Sequence, residues 1–285
     1  MDIHAICLAL NEEIFIRKQL ETLYPLCSGI SILSQYDRDW FGNSVKPDST
    51  IQKVLNHPDP KGKIQLIVRR WRDQAAALNS EMNALSSAPH DSVDPHGSSL
   101  EEIRDLHKIP DYFLIVDADE FYDPESFGDI VSYLDAKRPR AMRVHGHNYK
   151  RSWNRRAVNF EFCQFGFVKP GLAFEHAREL TWNESRLSKL LRLLRLPDVS
   201  ERLFGFRTCP EEVGVFHHGC WLGDAERVRR KYKRSPHVWA QDDQFIEDIQ
   251  DVEIEYVPTM ELPRNIRNGD WPDGYLEEID SVSSQ

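Results

Sequence analysis

The run Tyr112-Phe113-Leu114-Ile115-Val116 passes directly into Asp117-Ala118-Asp119-Glu120. An apolar stretch of that length bounded by polar residues predicts a buried strand. The strand would deliver its acids at one edge of a sheet. Residues i and i+2 of a strand face the same way, so Asp117 and Asp119 are expected to be able to share one hard cation or one metal-bound phosphate. Carboxylate oxygens suit Mg²⁺ or Mn²⁺, and ligands of open α/β sheets gather at the carboxyl ends of strands. The competing reading is a solvated acidic turn ahead of a helix, because Asp123-Pro124-Glu125 is itself a good helix start.

The rest of the first half alternates strands and helices. Ile3 to Leu10 reads as a first buried strand, and Asn11-Glu12-Glu13 opens a helix with apolar positions at Ile14, Ile16, Leu20 and Leu23 that ends near Pro25. Ile30 to Leu33 and Ile64 to Val68 are further strands, separated by a long polar loop from Ser34 to Lys63. Arg72 to Leu85 is predicted helical, as is Pro124 to Ala136, with Ala141 to His145 a strand after it. Ser86 to Ser99, rich in Ser, Pro, His and Asp, reads as an insertion. This alternation predicts a largely parallel sheet covered by helices.

The second half differs. Phe160 to Val168 has the character of an antiparallel strand, and Leu187 to Leu196 that of a basic amphipathic helix with a leucine face. Val213 to Phe216 is a short strand leading into His217-His218-Gly219, and Asp224 to Arg234 is a helix carrying six basic residues. The expected organisation is an α/β half over 1–150, a region over 151–240 that completes the same domain, and an acidic tail over 241–285 wrapped on the surface.

Composition narrows the function classes. A chain of 285 residues with 40% hydrophobic and 29% charged residues is ordinary for a globular protein. A net charge of −10 argues against nucleic acid as the main partner, while leaving a locally basic site for an anionic substrate open. The five cysteines contain no Cys-x-x-Cys pair and are too sparse for a disulfide framework. No basic leader and no membrane-length apolar run is present, so the expectation is a soluble cytoplasmic protein, with peripheral membrane contact as the open alternative.

Four elements in order carry a resemblance: Leu10-Asn11-Glu12-Glu13 after the first strand, the helix Arg72-Asp73-Gln74-Ala75-Ala76-Ala77-Leu78-Asn79, the acidic element Asp117-Ala118-Asp119-Glu120, and the late Phe216-His217-His218-Gly219. Over roughly residues 3 to 235 the chain resembles nucleotide-sugar-dependent glycosyltransferases of the GT-A type, especially family 2. The resemblance implies a GT-A-like α/β fold, a mostly parallel sheet with helices on both faces and a smaller mixed C-terminal region. It also implies transfer of a sugar from a nucleotide-sugar donor to a saccharide or glycoconjugate acceptor. Asp119 would be the principal ligand of Mn²⁺ or Mg²⁺, supported by Asp117 and one of His217 and His218. Asn11, Glu12, Asp37, Asp39, Arg72, Asn79 and Asp117 would line the nucleotide.

The physical logic runs beside the resemblance: a cation at Asp119 would offset charge developing on a diphosphate leaving group, and Asp117 is suited to accept from a ribose hydroxyl. Each assignment has a plainer counterpart. Asn11 and Glu12 make an acceptable helix cap, Arg72 a solvated charge, Asn79 a helix residue bonding backbone, and the histidines core residues. The stretch Ser34 to Gly42 departs from the family's acidic, small-residue cradle, leaving Asp37 or Asp39 as substitutes for its acid. An inverting transfer also needs a carboxylate base, for which Glu212 and then Glu201 are the candidates. Two other functions compete: a catalytically degenerate GT-A-like binding protein, and a phosphatase of the haloacid dehalogenase type, whose motif is broken here by Phe121.

Overall fold

The computed structural model describes residues 1–40, 42–87, 109–158, 162–176, 178–180, 205–232 and 252–277. Its strands are β1 (Ile3–Leu8), β2 (Gly29–Ser34), β3 (Ile64–Val68), β4 (Tyr112–Asp117), β5 (Glu120–Tyr122), β6 (Ala141–Arg151), β7 (Arg155–Ala157), β8 (Phe162–Val168), β9 (Phe174–His176), β10 (Glu179–Leu180), β11 (Phe206–Thr208), β12 (Val215–Leu222) and β13 (Ile254–Tyr256). The helices are α1 (Ile16–Leu26), α2 (Thr50–Leu55), α3 (Gln74–Ser86), α4 (Pro124–Lys137), α5 (Ala225–Tyr232) and α6 (Arg264–Arg267).

Among the described residues the central sheet runs β3-β2-β1-β4-β8-β6-β7-β13, with β11 and β12 along the other side of β6 and β5 paired to β12. The half β3-β2-β1-β4 is wholly parallel. Strand β8 enters antiparallel between β4 and β6, and β12 runs parallel to β6. Two reversals restore direction, so β12 points the same way as β4. The fold is the mixed α/β type with a mostly parallel centre that the alternation predicted.

Burial explains why β1 and β4 are apolar throughout rather than alternating. On one face Ala5, Cys7, Leu114 and Val116 pack with Ile16, Leu20 and Leu23 of α1 and with Phe127, Ile130 and Leu134 of α4. On the other, Ile6, Leu8, Phe113 and Ile115 pack with Ala75, Ala77, Leu78 and Met82 of α3. Local signals set two of the helix starts: the Asp73 carboxylate accepts from Ala76 N at 2.7 Å, and Asp123 from Glu125 N at 3.2 Å with Pro124 in the first turn. A third cluster, Phe15, Phe121, Tyr149, Trp153, Leu222, Leu262, Ile266 and Tyr275, draws residues of the tail onto the body of the sheet.

Several expectations need adjustment. The Ser34–Lys63 loop contains α2, whose polar sequence carries little periodic signal. Strand β6 continues through His145-Gly146-His147-Asn148-Tyr149 to Arg151, because neighbours on both sides satisfy its backbone whatever its side chains. Strand β12 begins at Val215 and extends through the histidines to Leu222. Residues 88–99 of the expected insertion and the Leu187–Leu196 helix lie outside the described residues. None of the five cysteines is in a disulfide, and among the described residues no helix is long and apolar enough to cross a membrane.

One half-buried histidine at the start of β1, at the other end of that strand from Asn11 and Glu12, gives a direct pH test. His4 Nε2 lies 2.9 Å from Ser31 Oγ, and burial, opposed by Asp2, lowers the imidazole to about 4. Below its ordinary 6.5 the unfolded chain therefore takes up a proton that the fold refuses, so this contribution to stability falls as pH drops from 6.5 through 4. Full expression of the shift is worth about 3 kcal/mol. Urea melts of wild type and His4→Gln at pH 8 and pH 4 should show the gap between them narrowing at the lower pH. A gap independent of pH would mean that the fold leaves the proton affinity of the imidazole unchanged.

Candidate functional site

Because β1, β4 and β12 share a direction, the residues after β1, the end of β4 and the middle of β12 meet at one edge. Asn11 turns the chain there with φ 55°, a left-handed conformation that asparagine tolerates, and its side chain bonds Lys46 O and Asp48 N. Glu12 follows immediately, its carbonyl accepting from Phe15 and Ile16 N at the entry to α1.

The acidic tetrad does not stay in one strand. β4 stops at Asp117, Ala118 and Asp119 form a turn, and Glu120 starts β5, which pairs antiparallel with β12. Ala118 N donates to Leu8 O at 3.1 Å, and Gly219 N donates to Asp119 O at 2.8 Å, so the turn is pinned between the ends of β1 and β12. The turn removes the same-face relation expected of Asp117 and Asp119, and the two carboxylates take separate partners. Asp117 Oδ1 lies 3.4 Å from Arg178 Nη2, and its side chain is 35% exposed. Asp119 is 1% exposed, and its Oδ2 receives Lys231 Nζ and stands 3.7 Å from His218 Nε2. Lys231 Nζ also donates to Glu12 Oε1 at 2.9 Å. Asp119 Oδ1 has no hydrogen-bond partner among the described residues.

Glu120 is the structural member of the tetrad. Its Oε2 accepts from Asp117 N at 2.9 Å and from Arg178, and its Oε1 from Gln164 Nε2. Gln19 of α1 braces the turn by donating to Asp117 O at 3.1 Å and Glu120 O at 2.7 Å.

Burial and charge oppose each other throughout this site. Burial pushes Glu120 up to about 7 against the pull of Arg178, and Glu12 up to about 7 against Lys231. Asp119 is equally buried, but Lys231 and His218 outweigh the burial and hold it well below the usual carboxylate range. Burial lowers His218 to about 4, with Asp119 opposing, and lowers His217 to about 3, assisted by His147 and Arg156. Both imidazoles are thus neutral at pH 7.

Strand alternation separates the two histidines. His218 packs against Phe162 and Phe216 and presents Nε2 to Asp119, while its Nδ1 meets Asn148 Oδ1 at 3.0 Å. A proton on Nδ1 satisfies that bond and leaves a lone pair on Nε2, the arrangement by which an amide or carbonyl orients a metal-binding imidazole. His217 faces the other way, with Nδ1 2.7 Å from Tyr149 Oη and its ring 5.8 Å from that of His147.

The remaining sequence candidates are dispersed. Asp37 pairs with Arg70 at 2.8 Å, and Arg72 with Asp73 at 2.7 Å, all largely exposed. Asp39 is buried and bonds Asn43 N and Nδ2 at 2.9 and 3.0 Å, closing its own turn. Asn79 bonds both N and O of Phe174 at 2.7 and 2.8 Å, tying α3 to β9. Glu212 is exposed in the turn before β12, six residues ahead of His218. Glu201 lies outside the described residues.

Lys231, Arg178, Gln164 and Asn148 belong to the site and were not among its sequence candidates. Lys231 sits in the basic helix that the sequence does reveal; Arg178 carries no local signal.

The donor set suits a divalent cation. Two carboxylates and a neutral imidazole converge, one buried carboxylate oxygen lacks a partner, and an ammonium already occupies the cation's side of Asp119. Among the described residues no three such groups stand together so as to hold a metal, and Lys231 Nζ lies between Glu12 and Asp119.

No protein-family model and no curated protein matches the chain. Among solved structures it is similar to S. aureus TarS 1–349, at 16% identity and a TM-score of 0.34 over 82% of this chain and 65% of that one. The same TarS fragment in complex with UDP-GlcNAc aligns at 13% identity and a TM-score of 0.36, over 82% and 66% of the two chains. Glucosyl-3-phosphoglycerate synthase from Mycobacterium tuberculosis, in complex with Mn²⁺, UDP-glucose and phosphoglyceric acid, aligns at 13% identity and a TM-score of 0.37, over 76% and 71%. The chain thus spans slightly under two thirds of the TarS fragment in the first of these matches.

Proposed function

We propose that the protein is a GT-A-like glycosyltransferase that binds a nucleotide-sugar donor at the carboxyl edge of its sheet and transfers the sugar to a saccharide or glycoconjugate acceptor. The observation that carries this reading is the grouping of Glu12, Asp119 and His218 at the carboxyl edge. Lys231 Nζ links Glu12 to Asp119 Oδ2, His218 Nε2 faces that same oxygen, and the other oxygen of the buried carboxylate, Oδ1, has no partner among the described residues. Asp119 and His218 would hold Mn²⁺ or Mg²⁺, with Glu12 or Asp117 in support. Bound there, the cation would supply Lewis-acid stabilisation of the diphosphate leaving group. Asp117, more open than Asp119, is suited to accept a hydrogen bond from a ribose hydroxyl. Asn148 fixes the His218 ring, and Gln19 and Gly219 hold the turn that aims Asp119. For an inverting transfer the candidate bases are Glu212 and then Glu201, each tested by its substitution to Gln.

A thermal-shift panel of UDP, GDP, CDP and ADP, each with and without Mn²⁺, tests the reading. A ligand present at 100 times its Kd stabilises the native state by about 2.7 kcal/mol. One nucleotide should raise the melting temperature by several degrees only when Mn²⁺ is present. No shift with any nucleotide would favour the degenerate binding protein, a reading to which the internal pairing of Asp37 and Asp39 lends support.

A further inference from the structure

We propose that Lys231 is a built-in competitor for the divalent cation: its ammonium holds Asp119 and Glu12 in the metal-free protein and withdraws when a metal binds. The inference rests on the metal-site reading above and adds a regulating residue to it.

The geometry points to exchange rather than coexistence. Lys231 Nζ bonds Asp119 Oδ2 and lies 2.9 Å from Glu12 Oε1, and the same Asp119 oxygen is 3.7 Å from His218 Nε2. The ammonium therefore takes up the two carboxylates a metal would need, and its charge would repel a metal placed beside it. Lys231, with the Arg227 charge one turn away, meets only Asp119 Oδ2 and Glu12 Oε1 and leaves Asp119 Oδ1 without a partner among the described residues. A divalent cation in the place of the ammonium could use the His218 Nε2 lone pair as well as the carboxylates.

The helix is built so that the ammonium can leave while the backbone stays. Arg227, one turn earlier on the same face of α5, donates to Leu222 O at 2.7 Å and to Cys220 O at 3.3 Å and lies over the Phe15 ring. Val228 is buried beside it. Lys231 extends from this anchor on a flexible four-carbon stem, and its side chain is 27% exposed, which gives it a route to water.

The test is Mn²⁺ binding without nucleotide, read from the electron paramagnetic resonance signal of free Mn²⁺. Wild type, Lys231→Met, Lys231→Gln and Lys231→Met/Asp119→Asn are compared, with circular dichroism to confirm folding. The expected result is at least tenfold tighter binding in both single variants and loss of that gain in the double variant. In the wild-type chain, labelling of Lys231 by an amine-reactive ester, read by mass spectrometry, should rise on adding Mn²⁺. Equal or weaker binding in the single variants, or labelling indifferent to Mn²⁺, overturns the competition while leaving the metal site intact. Absence of Mn²⁺ binding from every folded form overturns the competition and the metal site together.

Discussion

Replacing Arg178 with methionine is expected to destabilise the protein by about 3–5 kcal/mol, the range for removing one partner of a buried ion pair. Arg178 and Glu120 are 9% and 2% exposed, and the guanidinium also faces Asp117. Even with this partner, burial lifts Glu120 to about 7; without it the carboxyl must take up a proton or remain charged in a buried site. The loss should therefore be smaller at pH 5, where protonation is easy, than at pH 8. Adding Glu120→Gln should recover part of it, because the amide needs no counter-charge. Its oxygen can still accept from Asp117 N, and its NH2 can donate to Gln164 once that amide turns its oxygen inward. Urea unfolding of the four forms in a double-mutant cycle reads the coupling directly. Independent losses from the two single changes would mean that the pair is hydrated and contributes little. The consequence for the site is indirect but large, since Glu120 fixes the Asp117 amide at the very end of β4.

The strand–helix framework was legible because it is written locally. β1, β3 and β4 are apolar runs long enough to be unambiguous, and Asp73 and Asp123 mark their helices by capping chemistry. β6 was half seen, since a strand paired on both sides tolerates His145, His147 and Lys150, and α2 was missed for want of an apolar stripe. At the site, the tetrad and the His-Gly element could be picked out as strand ends, where open sheets place ligands. The shared face of Asp117 and Asp119 could not be inferred, because it assumed that β4 runs on through Ala118, and the chain turns there instead. Lys231 and Arg178 were beyond reach for a different reason. Lys231 meets Glu12 across 219 positions, and Arg178 meets Glu120 across 58. Contacts of that range depend on the order of strands in the sheet, which periodicity does not encode. The candidates Asp37, Asp39 and Asn79 show the converse: residue types that suit nucleotide binding serve here in an exposed ion pair, a turn and a helix–strand tie.

Asp119→Asn is expected to abolish the Mn²⁺-dependent part of nucleotide binding and to lower transfer activity by at least about 10²–10³-fold, the scale for losing one preorganised electrostatic group. The fold should survive. Asparagine has the same shape, and its amide oxygen can still accept from Lys231, so a stability loss of about 1–3 kcal/mol is the expectation. Asp117→Asn makes the informative contrast: with 35% of its side chain exposed and a guanidinium rather than an imidazole beside it, it should weaken nucleotide binding without removing the response to Mn²⁺. Calorimetric titration of both variants with the nucleotide selected by the thermal panel, with and without Mn²⁺, separates these outcomes. If Asp119→Asn bound nucleotide with an unchanged response to the metal while losing stability, its carboxylate would be no more than the buried counter-ion of Lys231. The pair of variants thus asks whether the acid aimed at His218 is there for the metal or for the lysine, and the unpartnered Oδ1 favours the metal.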